Sequence, residues 1–186
     1  MTNHHLFINY GSAADPISSI GAEIISGYNG GAWNGNGIYS DNAQTNSASY
    51  GIGYADSADP GNPAGLASGT IEIMYTLLGD ANLDGAVNGT DFAILASNFN
   101  KADAVGHSGW DEGDFNYDGA VNGADFAELA ANFNKGASQS AVDSTDTAAL
   151  DSFASANGIT LNVPEPAATA LLALATFGAL RRRCRR

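Results

Sequence analysis

"GDANLDGAVNGTDFAILASNFNK" occupies residues 79–101, and "GDFNYDGAVNGADFAELAANFNK" occupies residues 113–135. The two stretches agree at 18 of 23 positions and begin 34 residues apart. In both, closely spaced Asp, Asn and Gly residues come first, and a run of largely apolar residues follows. Such self-similarity indicates one structural unit that occurs twice.

The first half of each stretch places oxygen-bearing groups at regular intervals. Counted from Asp80 or Asp114, side-chain oxygens stand at positions 1, 3, 5, 9 and 12, Gly stands at position 6, and position 7 offers a backbone carbonyl. This is the spacing of a calcium loop, in which a hard cation collects roughly six to eight oxygen ligands. The sequence therefore predicts two Ca²⁺ sites with these ligands: Asp80, Asn82, Asp84, Ala86, Asn88 and Asp91 in the first loop, and Asp114, Asn116, Asp118, Ala120, Asn122 and Asp125 in the second.

The loop pattern allows two alternatives to calcium. Asp, Asn and Gly are common in ordinary turns, so one such loop alone could be a turn without metal. Two matched copies, each followed by a helical pattern, favour metal sites. Magnesium is the second candidate ion, but it prefers near-octahedral sites that keep several waters, so calcium is favoured.

The second half of each stretch predicts a short helix. Apolar residues recur at i, i+3, i+4 and i+7, which gives each helix one apolar stripe. We expect the two helices to pack face to face, because neither is long enough to be stable alone. We also expect Val87 and Val121, at position 8, to join the two loops through a β-bridge. The stripe residues are Phe92, Leu95, Ala96 and Phe99, and Phe126, Leu129, Ala130 and Phe133.

Each loop is followed by a helix but is not preceded by one, unlike a full EF-hand. Duplicated loop–helix units of this kind resemble a type I dockerin domain, and the resemblance covers residues 79–135. It implies an all-α pair of calcium-binding F-hand units that dock onto a cohesin-like protein, often in secreted polysaccharide-degrading enzymes. The hydroxyl residues that such docking uses are expected just after position 9. Those places hold Gly89-Thr90 and Gly123-Ala124, so only Thr90 keeps a hydroxyl.

Residues 1–78 predict a small β-rich module, which we take as the end of a larger domain. In the last run, Ile71, Ile73 and Tyr75 alternate with Glu72, Met74 and Thr76, a pattern typical of a half-buried strand. Gly- and Asn-rich stretches between the runs predict turns. The predicted strands lie within residues 5–10, 19–26, 37–40, 49–55 and 69–78.

The chain after the repeats divides into a polar linker and an apolar tail. The linker, residues 136–162, predicts a third helix near 145–156 that stops at Asn157-Gly158. The tail, residues 163–186, predicts a C-terminal hydrophobic helix followed by five arginines. As a helix, its apolar run would be about 21 Å long, which is shorter than the ~30 Å hydrocarbon core of a bilayer. The arginines favour a cytoplasmic location for the C-terminal end of this helix. An amphipathic helix of a soluble domain is the alternative.

The tail resembles the bacterial PEP-CTERM sorting signal, because Val163, Pro164, Glu165 and Pro166 precede the apolar run and the arginine cluster. The resemblance implies recognition by an exosortase-type membrane enzyme, with the protein exported and placed at the cell surface. The C-terminal segment then holds the protein at the membrane until it is processed. The start of the chain lacks a secretory signal, from which we expect a truncated gene or a misplaced start.

Composition argues against several function classes. Residues 1–180 contain two lysines and 20 acidic residues, a net charge of −18, which disfavours nucleic acid and attracts divalent cations. His4, His5 and His107 have no nucleophile or ligand partner at motif spacing, and there is no P-loop and no G-x-S-x-G. The sequence thus predicts a protein that is not an enzyme.

The predicted function is a non-catalytic, exported calcium-binding module that docks or tethers at the cell surface. One alternative is the remnant of a secreted polysaccharide-degrading enzyme whose catalytic domain is missing. The other is a structural stalk that calcium makes rigid.

Overall fold

The computed structural model describes residues 5–102, 109–136 and 144–160. Its N-terminal part contains an antiparallel sheet of three strands in the order β1-β3-β2: β1 His5–Asn9, β2 Tyr50–Asp56 and β3 Thr70–Leu77. His5 pairs with Met74 and Tyr50 with Leu77, so β3 is the central strand. The strands predicted within residues 5–10, 49–55 and 69–78 are confirmed.

Two other predicted strands are wrong. Residues 19–26 belong to helix α1, Ile17–Tyr28, and residues 37–40 form no strand but lead into a short helix α2, Asp41–Thr45. In α1, Ile17, Gly21 and Ile24 are buried at helical spacing. An added methyl group on Gly21 would lie 3.3 Å from the Tyr54 hydroxyl, so α1 packs closely against the sheet. A short apolar run does not distinguish helix from strand by its period alone.

The alternating residues of β3 predicted a strand that is buried on one face. The structure instead buries this central strand on both faces. Glu72, Met74 and Thr76 are as inaccessible as Ile71 and Ile73. On β2, Gly51 and Gly53 leave room for large side chains from the repeats. A methyl group on Gly53 would lie 2.7 Å from the Trp110 indole nitrogen and 2.9 Å from Thr76. Because glycine has no side chain, the repeats can pack closely against β2 at these two positions.

The repeat region is not all-α, which corrects the prediction. It contains helices α3, Gly89–Asn98, and α4, Gly123–Asn132, but also a two-stranded antiparallel pair, β4 Lys101–Ala102 with β5 Ala120–Val121. A 3₁₀ turn spans Trp110–Glu112, and Ala86 forms a β-bridge with Gly136. The extended backbone at positions 7 and 8 of each loop needs hydrogen-bond partners, and it finds them in other extended segments.

The predicted bridge between Val87 and Val121 does not form. The Val87 amide donates to the Lys135 carbonyl, and the Val87 carbonyl accepts from the Asn134 amide, both at 2.8 Å. In the other repeat, the Val121 carbonyl accepts from the Asn100 amide at 2.7 Å, and Val121 pairs with Lys101. Each loop therefore pairs with the segment that follows the helix of the other repeat. In this sense the two repeats are interlocked.

The predicted third helix is confirmed as α5, Ser144–Ala156. Leu150 and Ala154 are buried, and the Phe153 ring meets Phe92 and Phe99 edge-on at centroid distances of 5.4 and 4.9 Å. The two-helix core expected from the apolar stripes is thus completed by a third helix.

The predicted C-terminal hydrophobic helix lies outside the described residues. Within the ranges that the structure describes, no helix has the length and apolar character needed to span a bilayer.

Candidate metal centre

The first loop is closed by its first carboxylate. Asp80 is fully buried, and its two oxygens accept the amides of Asp84 at 3.1 Å and Gly85 at 3.0 Å. The Thr76 hydroxyl, at the end of β3, also donates to Asp80. Gly85 has φ +86°, a conformation that only glycine adopts without strain, so the turn requires glycine at position 6.

The last residue of the loop, Asp91, ties both ends of the loop to helix α3. One of its oxygens accepts the amides of Ala81 at 2.9 Å and Asn82 at 3.2 Å, and the other accepts the Asn88 amide at 2.9 Å. Asn88 is the N-cap of the helix and accepts the Thr90 amide at 2.8 Å. Asn88 and Asp91 form a capping box, which starts the helix and orients position 12 inward.

The second loop repeats this arrangement. Asp114 accepts the amides of Asp118 at 3.1 Å and Gly119 at 2.8 Å. Asp125 accepts the amides of Phe115 at 2.9 Å, Asn116 at 3.3 Å and Asn122 at 2.9 Å. These distances differ from those of the first loop by at most 0.2 Å. The two loops therefore have one backbone geometry.

Positions 3 and 5 lie at the surface of each loop. The Asn82 side-chain amide donates to Asp84 at 3.1 Å, and that of Asn116 donates to Asp118 at the same distance. Asp84 and Asp118 are exposed. At position 7, the Ala120 carbonyl accepts the Asn122 side-chain amide at 2.9 Å. The exposed carboxylates are thus available to a cation that approaches from solvent.

The buried loop carboxylates have unfavourable surroundings for a negative charge. Burial raises the pKa of Asp80 and of Asp125 to about 6, and that of Asp91 to about 7. Neighbouring loop carboxylates contribute to each shift, and hydrogen bonds from the loop oppose it. Burial and neighbouring negative charge both disfavour ionisation of these carboxylates, and a nearby positive charge would oppose this effect.

No described lysine supplies that charge. Lys101 donates to the Ser97 carbonyl at 2.6 Å, and Lys135 donates to the Asn132 side-chain oxygen at 3.0 Å. Glu128, on α4, has its pKa raised to about 8 by burial and then by the carboxylates of Asp125, Asp114 and Asp118. The second loop therefore has one more acidic group nearby, Glu128, than its ligand spacing alone indicates.

The donor set fits a hard divalent cation. Each loop offers carboxylates, side-chain amide oxygens and a backbone carbonyl, which are the oxygen ligands that calcium takes. Among residues 5–102, 109–136 and 144–160, no three carboxylate, imidazole or thiol side chains converge as a ready-made metal cluster. The buried carboxylates are held by loop amides, so Asn side chains and the carbonyl would have to complete the coordination.

Sequence reasoning missed how strongly the second loop is bound to the N-terminal part. Tyr117, at position 4, is buried, and its ring packs against Trp110 and Tyr28 at centroid distances of 5.5 and 4.7 Å. The Trp110 indole donates to the Asp80 carbonyl at 2.8 Å, which connects the segment before the second loop to the first loop. An aromatic residue at position 4 was the available signal.

The comparison with known families agrees with this geometry. Residues 78–134 match the dockerin type I domain. Residues 162–186 match the PEP-CTERM protein-sorting motif, so the suspected order of dockerin and sorting signal is confirmed. No curated protein and no solved structure is significantly similar to the chain.

The two matches establish the general character of the protein. Type I dockerin domains bind calcium, and the PEP-CTERM motif implies export and sorting to the cell envelope or surface. Both modules are non-catalytic. The sorting residues Val163, Pro164, Glu165 and Pro166 fall within the second match and lie outside the described residues.

Proposed function

We propose that the dockerin-like repeats, residues 79–135, bind two calcium ions, one in each loop. The ligands are those of the predicted spacing: Asp80, Asn82, Asp84, Ala86, Asn88 and Asp91, and Asp114, Asn116, Asp118, Ala120, Asn122 and Asp125. The observation that carries the proposal is that the first carboxylate of each loop accepts the amides of positions 5 and 6, around acids that no lysine compensates. Calcium supplies the missing positive charge and thereby stabilises the interlocked repeats.

The experiment is a calcium titration of the full chain by calorimetry. We expect two calcium ions per chain, and no binding when Asp80→Ala and Asp114→Ala are combined. Because Asp80 and Asp114 also close their loops, Asp84→Ala and Asp118→Ala are the matched surface variants, and each should remove one ion. A stoichiometry of zero or one in the wild-type protein contradicts the proposal.

We further propose that the chain is a non-catalytic docking or tethering module at the cell surface. An exosortase-type enzyme would act at residues 163–166, and the C-terminal segment would hold the protein at the membrane before processing. A cohesin-like protein is the proposed partner. Thr90 and Ala124, at position 11 of each loop and in the first turn of α3 and α4, are exposed and thus accessible to it.

A specific contact favours the structural stalk as the second candidate. A methyl group on Gly89 would lie 2.5 Å from the Asp146 carboxylate of α5, and one on Gly123 would lie 3.7 Å from Ile159. The chain after the repeats therefore already occupies the N-terminal ends of both loop helices. A stalk needs no partner at these ends.

Capture by the host's cohesin-like proteins separates the two candidates. A docking module should retain such a protein on a column in calcium and release it in chelator. A stalk should retain none in either condition. Thr90→Ala is the matched variant, and it should weaken capture if the exposed face of α3 makes the contact.

A further inference from the structure

Glu128 lies in α4 three residues after Asp125, so the two side chains share one face of the helix. Its Oε2 atom is buried and has no hydrogen-bond partner in the part of the chain that the structure describes. A buried carboxylate oxygen without a partner loses its hydration and receives nothing in return. Glu128 is not part of the predicted ligand spacing.

The surroundings of Glu128 are acidic. The carboxylates of Asp114, Asp118 and Asp125, which are three ligands predicted for the second loop, act on it electrostatically. The nearby lysine on the same repeat, Lys135, donates to the Asn132 side chain. A cation in the second loop is therefore the group that would compensate the charge of Glu128.

The first repeat has no equivalent charge. The register that superimposes Asp91 on Asp125 places Ile94 at the position of Glu128. Both loops otherwise carry three carboxylates and two side-chain amides at the same positions. In charge, the two sites therefore differ by this one carboxylate, whose Oε2 atom is buried.

We propose that Glu128 makes the second calcium site tighter than the first by adding a fourth carboxylate charge beside it. The inference rests on the two calcium sites proposed above. The number of charged ligands and neighbours tunes the affinity of calcium loops, and a charge at a buried site is weakly screened. Removing this charge should lower the affinity of the second site and leave the first unchanged.

The test measures each site separately by calcium calorimetry of the full chain at pH 9, where Glu128, whose pKa is raised to about 8, is ionised before calcium binds. Asp84→Ala disables the first loop and reports on the second, and Asp118→Ala does the reverse. Adding Glu128→Gln, which keeps the side chain's shape, should weaken binding about tenfold in the Asp84→Ala protein and less than about twofold in the Asp118→Ala protein. Glu23→Gln, on the exposed face of α1, is the charge-matched control and should change neither.

A gain-of-function variant tests the same idea without removing a native group. Ile94→Glu in the Asp118→Ala protein should strengthen the remaining first site. Unchanged affinity of the Asp84→Ala, Glu128→Gln protein would overturn the proposal, as would equal losses in both backgrounds. If the wild-type protein binds no calcium at all, the proposal of two sites fails instead, so the two failures are distinguishable.

Discussion

The Tyr117 hydroxyl donates to the carbonyl of Ile52 and accepts from the amide of the same residue, both at 3.0 Å. Ile52 lies in β2, which is an edge strand of the sheet, and Tyr117 lies in the second loop. One phenol thus satisfies two backbone groups on an otherwise open strand edge. It joins the N-terminal sheet to the second loop.

This contact predicts a stability effect of Tyr117→Phe. The variant keeps the ring but leaves the amide and carbonyl of Ile52 without their partner, which should lower the free energy of unfolding by about 1–3 kcal/mol. Urea unfolding in saturating calcium measures it. Tyr39→Phe is the control, since Tyr39 is 51% exposed. Equal stability of the Tyr117→Phe and wild-type proteins would show that water satisfies the strand edge as well.

The opening glycine of each repeat predicts a second effect. Gly79 has φ +104°, and a methyl group there would lie 2.8 Å from the Leu129 Cα in the other repeat. Gly113 meets Leu95 in the same way, at 3.1 Å. These close approaches hold each loop against the other repeat's helix, where any side chain would push the two apart.

Gly79→Ala should therefore be more destabilising than an alanine at a glycine that has only a positive φ. Gly61, with φ +81° and nothing within 4 Å of the added methyl group, is the matched control. Strain in the backbone alone costs about 1 kcal/mol, and we expect Gly79→Ala to cost at least about 2 kcal/mol because backbone must shift as well. Thermal unfolding of the two variants in calcium compares them. Similar losses would mean that the repeats separate easily.

The backbone of the two loops could be predicted from the sequence because it is local. The ligand spacing, the glycine at position 6 and the capping residues act within twelve residues, so the pattern itself specifies the turns and the start of each helix. The crossed pairing of Val87 and Val121 could not be predicted, since it depends on how two separate segments pack. The helical Ile17–Tyr28 was missed because its apolar run was too short to show a period.

The third helix predicts a further stability effect. Phe153 packs edge-on against Phe92 and Phe99, and its ring lies 5.3 Å from that of Phe126, so α5 covers the meeting point of both repeat helices. Phe153→Ala should destabilise the protein by about 3 kcal/mol. Phe7→Ala, at a ring that is 56% exposed on β1, should cost much less. Equal effects in urea unfolding would show that α5 contributes little to the core.

The pKa values of the loop carboxylates predict opposite pH dependences with and without calcium. In the unfolded chain an Asp titrates near pH 4, whereas Asp80, Asp125 and Asp91 titrate at about 6, 6 and 7 in the folded, metal-free protein. Between these values the folded protein holds protons that the unfolded chain has released. The stability that these bound protons contribute is therefore fully present below about pH 4. It is lost as the pH rises through 6 to 7, by on the order of 1.4 kcal/mol per pKa unit.

In chelator, the urea midpoint should accordingly be higher at pH 5 than at pH 7. In saturating calcium the order should reverse, because calcium binds the ionised carboxylates and protons compete with it. Unfolding curves at the two pH values, each with calcium and with chelator, give the four midpoints. A chelated protein that is more stable at pH 7 than at pH 5 would mean that the loop acids are not destabilised by burial. The same reversal, if observed, ties the interlocked fold of the repeats to the cation that their sequence predicts.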